Sequence, residues 1–130
     1  MVKREEYEYL LRRSRQFFET AEIQLEKGFY DLAAFSLEQS LQLFLKAALL
    51  KLGLEYPRTH SVRRLLELLH EVTGRDEIRD VIQEYILELG LLEDAYIASR
   101  YVIRDYGCDE VLKLKKAVEE VMNAVRRVTD

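Results

Sequence analysis

The stretch from Gly28 to Ala47 constrains the fold more than any other part of the chain. It reads Gly-Phe-Tyr-Asp-Leu-Ala-Ala-Phe-Ser-Leu-Glu-Gln-Ser-Leu-Gln-Leu-Phe-Leu-Lys-Ala. The residue types are helix formers, and apolar side chains fall on almost every side of the resulting cylinder. A helix of that kind is stable only when surrounded, so it belongs at the centre of a bundle. Its middle nevertheless carries Glu38, Gln39, Gln42 and Lys46. Polar groups inside such a helix must reach solvent, a partner, a ligand or each other, because burying them unpaired is costly. These four residues are therefore the first candidates for function.

The remaining helices follow from spacing. Tyr7, Leu10, Leu11, Ser14, Phe17, Phe18, Ala21 and Leu25 form one stripe, which predicts a first helix from about Lys3 to Lys27. Gly28 is placed to end it in the left-handed conformation. The central helix should run to about Leu52 and stop at Gly53. Leu54 to Thr59 is a loop with Tyr56 held extended by Pro57. Thr59 or Ser61 can cap a short third helix, Val62 to Val72, ended by Gly74. A fourth helix should start near Asp76 and carry Ile78, Val81, Ile82, Tyr85, Leu89, Leu92, Ala95 and Tyr96, with Gly90 marking a kink or a close contact. Ser99 to Gly107 reads as irregular, and a last helix covers about Asp109 to Val128. No alternation of period two occurs, so no strand is expected. Short connections favour antiparallel neighbours. The predicted fold is all-α: a single domain over residues 1–130, an antiparallel up-and-down bundle of four long helices plus a short extra helix.

Composition narrows the class. The chain has 130 residues, with 48% hydrophobic and 34% charged, which suits a soluble globular domain. A net charge of -4 argues against a broad nucleic-acid surface. Cys108 is the only cysteine, so neither an intrachain disulfide nor a cysteine zinc site can form. With no signal-peptide pattern at the start and no apolar run of roughly 20 residues, the expectation is a cytoplasmic protein away from the membrane. Abundant Glu, Arg and Lys with a single Asn lean towards a thermophilic source.

Several catalytic patterns are absent or incomplete. Glu67-Leu68-Leu69-His70 is one Glu-x-x-His motif, whereas a di-metal bundle needs two with further carboxylates. No metal and no other cofactor is expected. His70 sits near a helix end, where an exposed imidazole is favourable. There is no Gly-rich phosphate loop and no serine triad pattern. Glu93 and Asp94 are adjacent and so point apart on a helix, a poor acid–base pair. Cys108 lacks a partner histidine. His60, in Pro57-Arg58-Thr59-His60-Ser61, stands at a loop-to-helix junction and reads either as a cap or as a donor to a ligand. Arg100 follows an apolar run and needs an anionic partner, with Glu38, Glu93 or a phosphate as the options.

These pieces, in order, resemble a known family. Gly28 to Phe35, Glu38-Gln39-Ser40, Lys46-Ala47, Thr59-His60-Ser61 and Ser99-Arg100-Tyr101 are similar to the ordered signatures of HEPN domains, the higher eukaryotes and prokaryotes nucleotide-binding family. The resemblance covers about Phe18 to Tyr101. It implies a bundle of four to five helices that commonly dimerises and binds nucleotides or, in some branches, cuts RNA. It also implies a small nucleotidyltransferase as a partner, in toxin–antitoxin-like pairs. Carried onto this chain, the nucleotide-binding positions are Gln39, Lys46, His60, Arg100 and Tyr101. Two positions depart from the family: Val102 stands where Pro often follows the Arg-Tyr pair, and no histidine follows Arg100 as in the ribonuclease branches. Arg104 occupies that neighbourhood instead, and an arginine is a poor general base. Arg64 and His70 have a similar spacing but fall on different faces of the third helix. The expectation is therefore a non-catalytic, homodimeric HEPN-type module binding a nucleotide or a partner nucleotidyltransferase. In that reading Lys46 and Arg100 face phosphate, His60 gives a hydrogen bond and Tyr101 stacks. A metal-independent ribonuclease is the alternative.

Overall fold

The structure, a computed structural model, describes residues 2–101 and 104–130, with the side chains of Val2, Ser99, Arg100 and Tyr101 outside the description. Among the described residues there are six helices and no strand. They are α1 (Val2–Glu26), α2 (Tyr30–Lys51), α3 (Val62–Thr73), α4 (Asp76–Glu84), α5 (Ile86–Tyr101) and α6 (Cys108–Thr129). No described helix is long and apolar enough to cross a membrane.

The helix ends obey local chemistry. Gly28, Gly53 and Gly74 all take positive φ, at 77°, 82° and 64°, the region that side chains with a Cβ avoid. Each stands where a helix was expected to end. Ser61 is the cap of α3: its Oγ accepts the Arg64 amide at 3.1 Å.

The greasy helix is the axis of the fold. α2 packs against α1, α3, α5 and α6, which is why it is apolar on nearly every side. Leu37, Leu41, Leu45 and Leu49 are fully buried along it, facing Leu65, Leu66, Leu89, Leu92, Leu114 and Val118 in one core. α1 and α2 approach closely at two serines. Ser14 Oγ donates to the Ser40 carbonyl and Ser40 Oγ donates to the Ser14 carbonyl, both at 2.7 Å, so two buried hydroxyls satisfy each other's backbone.

One predicted element divides. The helix expected from Asp76 through Tyr96 breaks at Tyr85, whose φ of -110° and ψ of 27° end α4 before α5 begins at the next residue. Ile78 and Val81 of α4 enter the core beside α3 and α6, while Leu89, Leu92 and Ala95 of α5 face α2. Both helices touch α3 and α6, and the packing of α5 on α2 sets it on a different direction from α4. The sequence Val81-Ile82 with Tyr85-Ile86 is a run of weak helix formers that permits the change. Gly90 does not kink the chain. A Cβ there would meet Arg63 Nη1 at 3.9 Å, an ordinary contact, so the packing of α5 does not require a glycine at this position. At the other end, α5 stays helical through Ser99–Tyr101, so the irregular connection expected from Ser99 begins later.

Candidate functional site

Helical spacing puts Glu38, Gln42 and Lys46 one turn apart on α2, and they form a hydrogen-bonded line. Glu38 has no exposed surface (0%). Its Oε1 accepts from Gln39 Nε2 and its Oε2 from Gln42 Nε2, each at 2.8 Å. Gln42 Oε1 in turn accepts from Lys46 Nζ at 3.1 Å. Burial away from water disfavours the charged carboxyl and lifts Glu38 to about 7, against the pull of the two amides and of Lys46. Burial likewise holds the Lys46 ammonium below its usual range, with Glu38 opposing. The Lys46 ammonium lies 5.4 Å from the centre of the Tyr56 ring, so the loop after α2 covers that end of the line.

A second cluster forms where that loop returns to α3. His60 and Tyr96 stack with ring centres 4.4 Å apart and planes 21° from parallel, and His60 Nε2 shares a hydrogen bond of 3.2 Å with Tyr96 Oη. Phe35 of α2 stacks on Tyr96 at 6.3 Å. His60 is therefore held by an aromatic stack, and Ser61, the next residue, does the capping. Beside it Glu93 accepts three hydrogen bonds: Ser61 Oγ at 2.7 Å and the Arg63 amide at 3.1 Å on Oε2, and Arg63 Nη2 at 2.8 Å on Oε1. These donors hold the Glu93 carboxyl below its usual range despite the opposing effect of burial. The cationic partner of Glu93 is thus Arg63 of α3.

Thr59, His60, Ser61, Glu93, Tyr96 and Ile97 line a cleft of about 300 Å³. The cleft has a fixed carboxylate, a stacked aromatic wall and the exposed Ile97 at its mouth. A larger groove of about 570 Å³ runs between α1, α2 and α6, but the Ser14–Ser40 pair at its floor is already satisfied and Arg126 lies over Phe44 at 5.1 Å. Among the described residues no group of three or more His, Cys, Asp or Glu side chains converges as a metal set. His70 sits 3.9 Å from Asp76 at the end of α3, away from both clusters.

The five residues singled out in the sequence are distributed as follows. Gln39 binds Glu38 directly, and Lys46 joins the same line through Gln42. Seven residues of helix separate Gln39 from Lys46, roughly 10 Å along the axis. His60 belongs to the aromatic cluster. Arg100 and Tyr101 end α5 one turn beyond Tyr96, and their side chains lie outside the described residues. Tyr96, Phe35 and Glu93 complete the site and were not assigned to it from sequence. Tyr96 and Phe35 read as core aromatics, and only the return of the loop through His60 shows that they form a wall.

A helical bundle with a polar line on its innermost helix, opening towards a loop-to-helix turn, defines the class to which the chain belongs. The HEPN domain model matches residues 7–128, and the chain is a member of the HEPN domain family. No curated protein matches it.

Proposed function

We propose that this HEPN domain is a non-catalytic binding module that takes a nucleotide at the His60–Tyr96 cleft. The observation that carries the reading is the stacked His60–Tyr96 wall of an open cleft of about 300 Å³. A flat aromatic wall suits a base, and stacking of a base on an aromatic side chain contributes ~1–3 kcal/mol. The Glu93 carboxylate in the lining repels phosphate, so the base enters and the phosphates stay outside, towards the last turn of α5 where Arg100 is placed. Lys46 donates to Gln42 and does not line this cleft. Catalysis of RNA cleavage is disfavoured on two grounds. Glu38, the carboxyl that titrates near neutrality, has no surface for a substrate to touch, and His60 Nε2 is already engaged by Tyr96.

The reading extends to a homodimer. Phe29, Leu32 and Ile97 are exposed apolar side chains, and the Phe35–Tyr96 stack places their helix ends together. Covering them with a second copy removes them from water. A small nucleotidyltransferase as partner rests on membership of the family alone. The test is calorimetric titration of ATP with magnesium into the wild-type protein and into Arg100→Ala. Micromolar binding that is lost in the variant is the expected result. An absence of heat in both, with both folded, removes the nucleotide from the reading and leaves a partner scaffold.

A further inference from the structure

α1 packs against α2 and leaves its outer face without a covering helix. Near the middle of that helix stand Arg12, Arg13 and Arg15. None of the three has a carboxylate within 4 Å among the described residues, whereas Arg4, Arg63, Arg79, Arg104 and Arg127 each reach one. Aromatic rings hold two of the free guanidinium groups in place. Arg12 lies 5.3 Å and Arg13 5.6 Å from the centre of the Tyr9 ring, and Arg13 also lies 5.7 Å from Phe17. Arg13 Nη1 donates to Tyr9 Oη at 3.2 Å. Tyr9 itself is 45% exposed. Guanidinium forks parked in this way lose less freedom on meeting a planar anion than free side chains would.

We infer that the outer face of α1 is a docking surface for a protein segment that carries a short cluster of carboxylates. The chemistry of the anion follows from the length of the basic window. From Tyr9 to Phe17 the helix rises roughly 12 Å. Glu5, Glu6 and Glu8 precede the window, and Glu19, Glu22 and Glu26 follow it, with Glu8 paired to Arg4 and Glu22 to Lys115 of α6. A nucleic-acid strand carries a charge at every nucleotide and would run past the arginines onto these carboxylates. A helix with acidic residues at its centre and basic residues at both ends matches the whole pattern, acidic–basic–acidic, along α1. Tyr9 gives such a helix an apolar contact beside the charges. The surface is separate from the nucleotide cleft, so neither proposal depends on the other.

Fluorescence anisotropy tests the inference. The probes are a labelled helical peptide with a central run of Glu and Lys at both ends, an isomer with the Glu run moved to one end, and a labelled oligouridylate of similar length. The wild-type protein should bind the first peptide, and the displaced isomer more weakly. Arg12→Ala/Arg13→Ala/Arg15→Ala should lose roughly ten-fold or more in affinity, as expected for a few ion pairs partly removed from water. The three side chains are exposed and Ala suits a helix, so circular dichroism should show the variant folded. Four results overturn the inference: no binding of the peptide, equal binding by the triple variant, tighter binding of oligouridylate through the same arginines, or arginine-dependent self-association that shows a second copy covering the face.

Discussion

Glu38 has no exposed surface, and a carboxyl in that position must be bonded, neutral or both. Two amides bond it, and its ionisation near 7 leaves it protonated at mildly acid pH. The consequence for stability has a definite sign. The folded state holds a proton on Glu38 over a range where the unfolded chain, with an ordinary carboxyl near 4.5, has released it. That stabilising contribution is full below the unfolded value and is lost as pH rises through about 7, a change of the order of 3 kcal/mol. Glu38→Gln keeps the shape and removes the titration, at the cost of one of the two accepting oxygens that Gln39 and Gln42 use. Thermal melts should show the stability of the variant relative to wild type rising between pH 5.5 and pH 8, because only wild type loses the Glu38 contribution over that range. A gap that stays constant across that range would mean Glu38 does not titrate there. At this scale the sequence was readable in part. Glu38, Gln39, Gln42 and Lys46 stood out because an apolar helix has no room for chance polar residues. That the first three would satisfy one another could not be read, because it depends on rotamers that neighbouring helices impose. His60 shows the same limit: its position at the junction was plain, and its stack on Tyr96 was not.

Helix ends were the most legible elements, because capping and left-handed glycines are local chemistry. Ser61 does two jobs at one such end. It caps α3 through the Arg64 amide and donates to Glu93 of α5, so α3 and α5 are tied at the mouth of the cleft. Ser61→Ala removes the cap and leaves a Glu93 oxygen with one donor fewer. The expected loss is about 1–2 kcal/mol, seen as a melting temperature lower by several degrees. A change within error would show that water replaces the hydroxyl at no cost. The break at Tyr85 was illegible for a physical reason. Apolar positions continue across it with helical spacing, from Ile78 and Val81 to Leu89 and Leu92, so the period alone predicts one helix. α4 and α5 part because α4 packs on α3 and α6, whereas α5 also packs on α2 as its main neighbour. A residue that ends a helix for tertiary reasons need not be Gly or Pro, and here the glycine nearby, Gly90, lies inside α5.

The whole molecule is organised around α2, which shares contacts with α1, α3, α5 and α6. Opening α2 would expose the core from every side, so its amides should exchange with solvent only on global unfolding. The first turns of α1, where Lys3 to Glu6 are exposed and one helix neighbour supports the segment, should open first. Native-state hydrogen exchange followed by mass spectrometry checks that order, and protection of the start of α1 equal to that of α2 would contradict it. By itself the sequence determined that the chain is all-helical, that Gly28 to Ala47 lies innermost and where most helices end, since each follows from hydrophobic spacing and local backbone chemistry. The tertiary structure alone decided where the fourth predicted helix divides, which carboxylate Arg63 holds and which rings wall the cleft. Those outcomes join residues about thirty or more positions apart, and no local pattern encodes the meeting of Arg63 with Glu93 or of His60 with Tyr96.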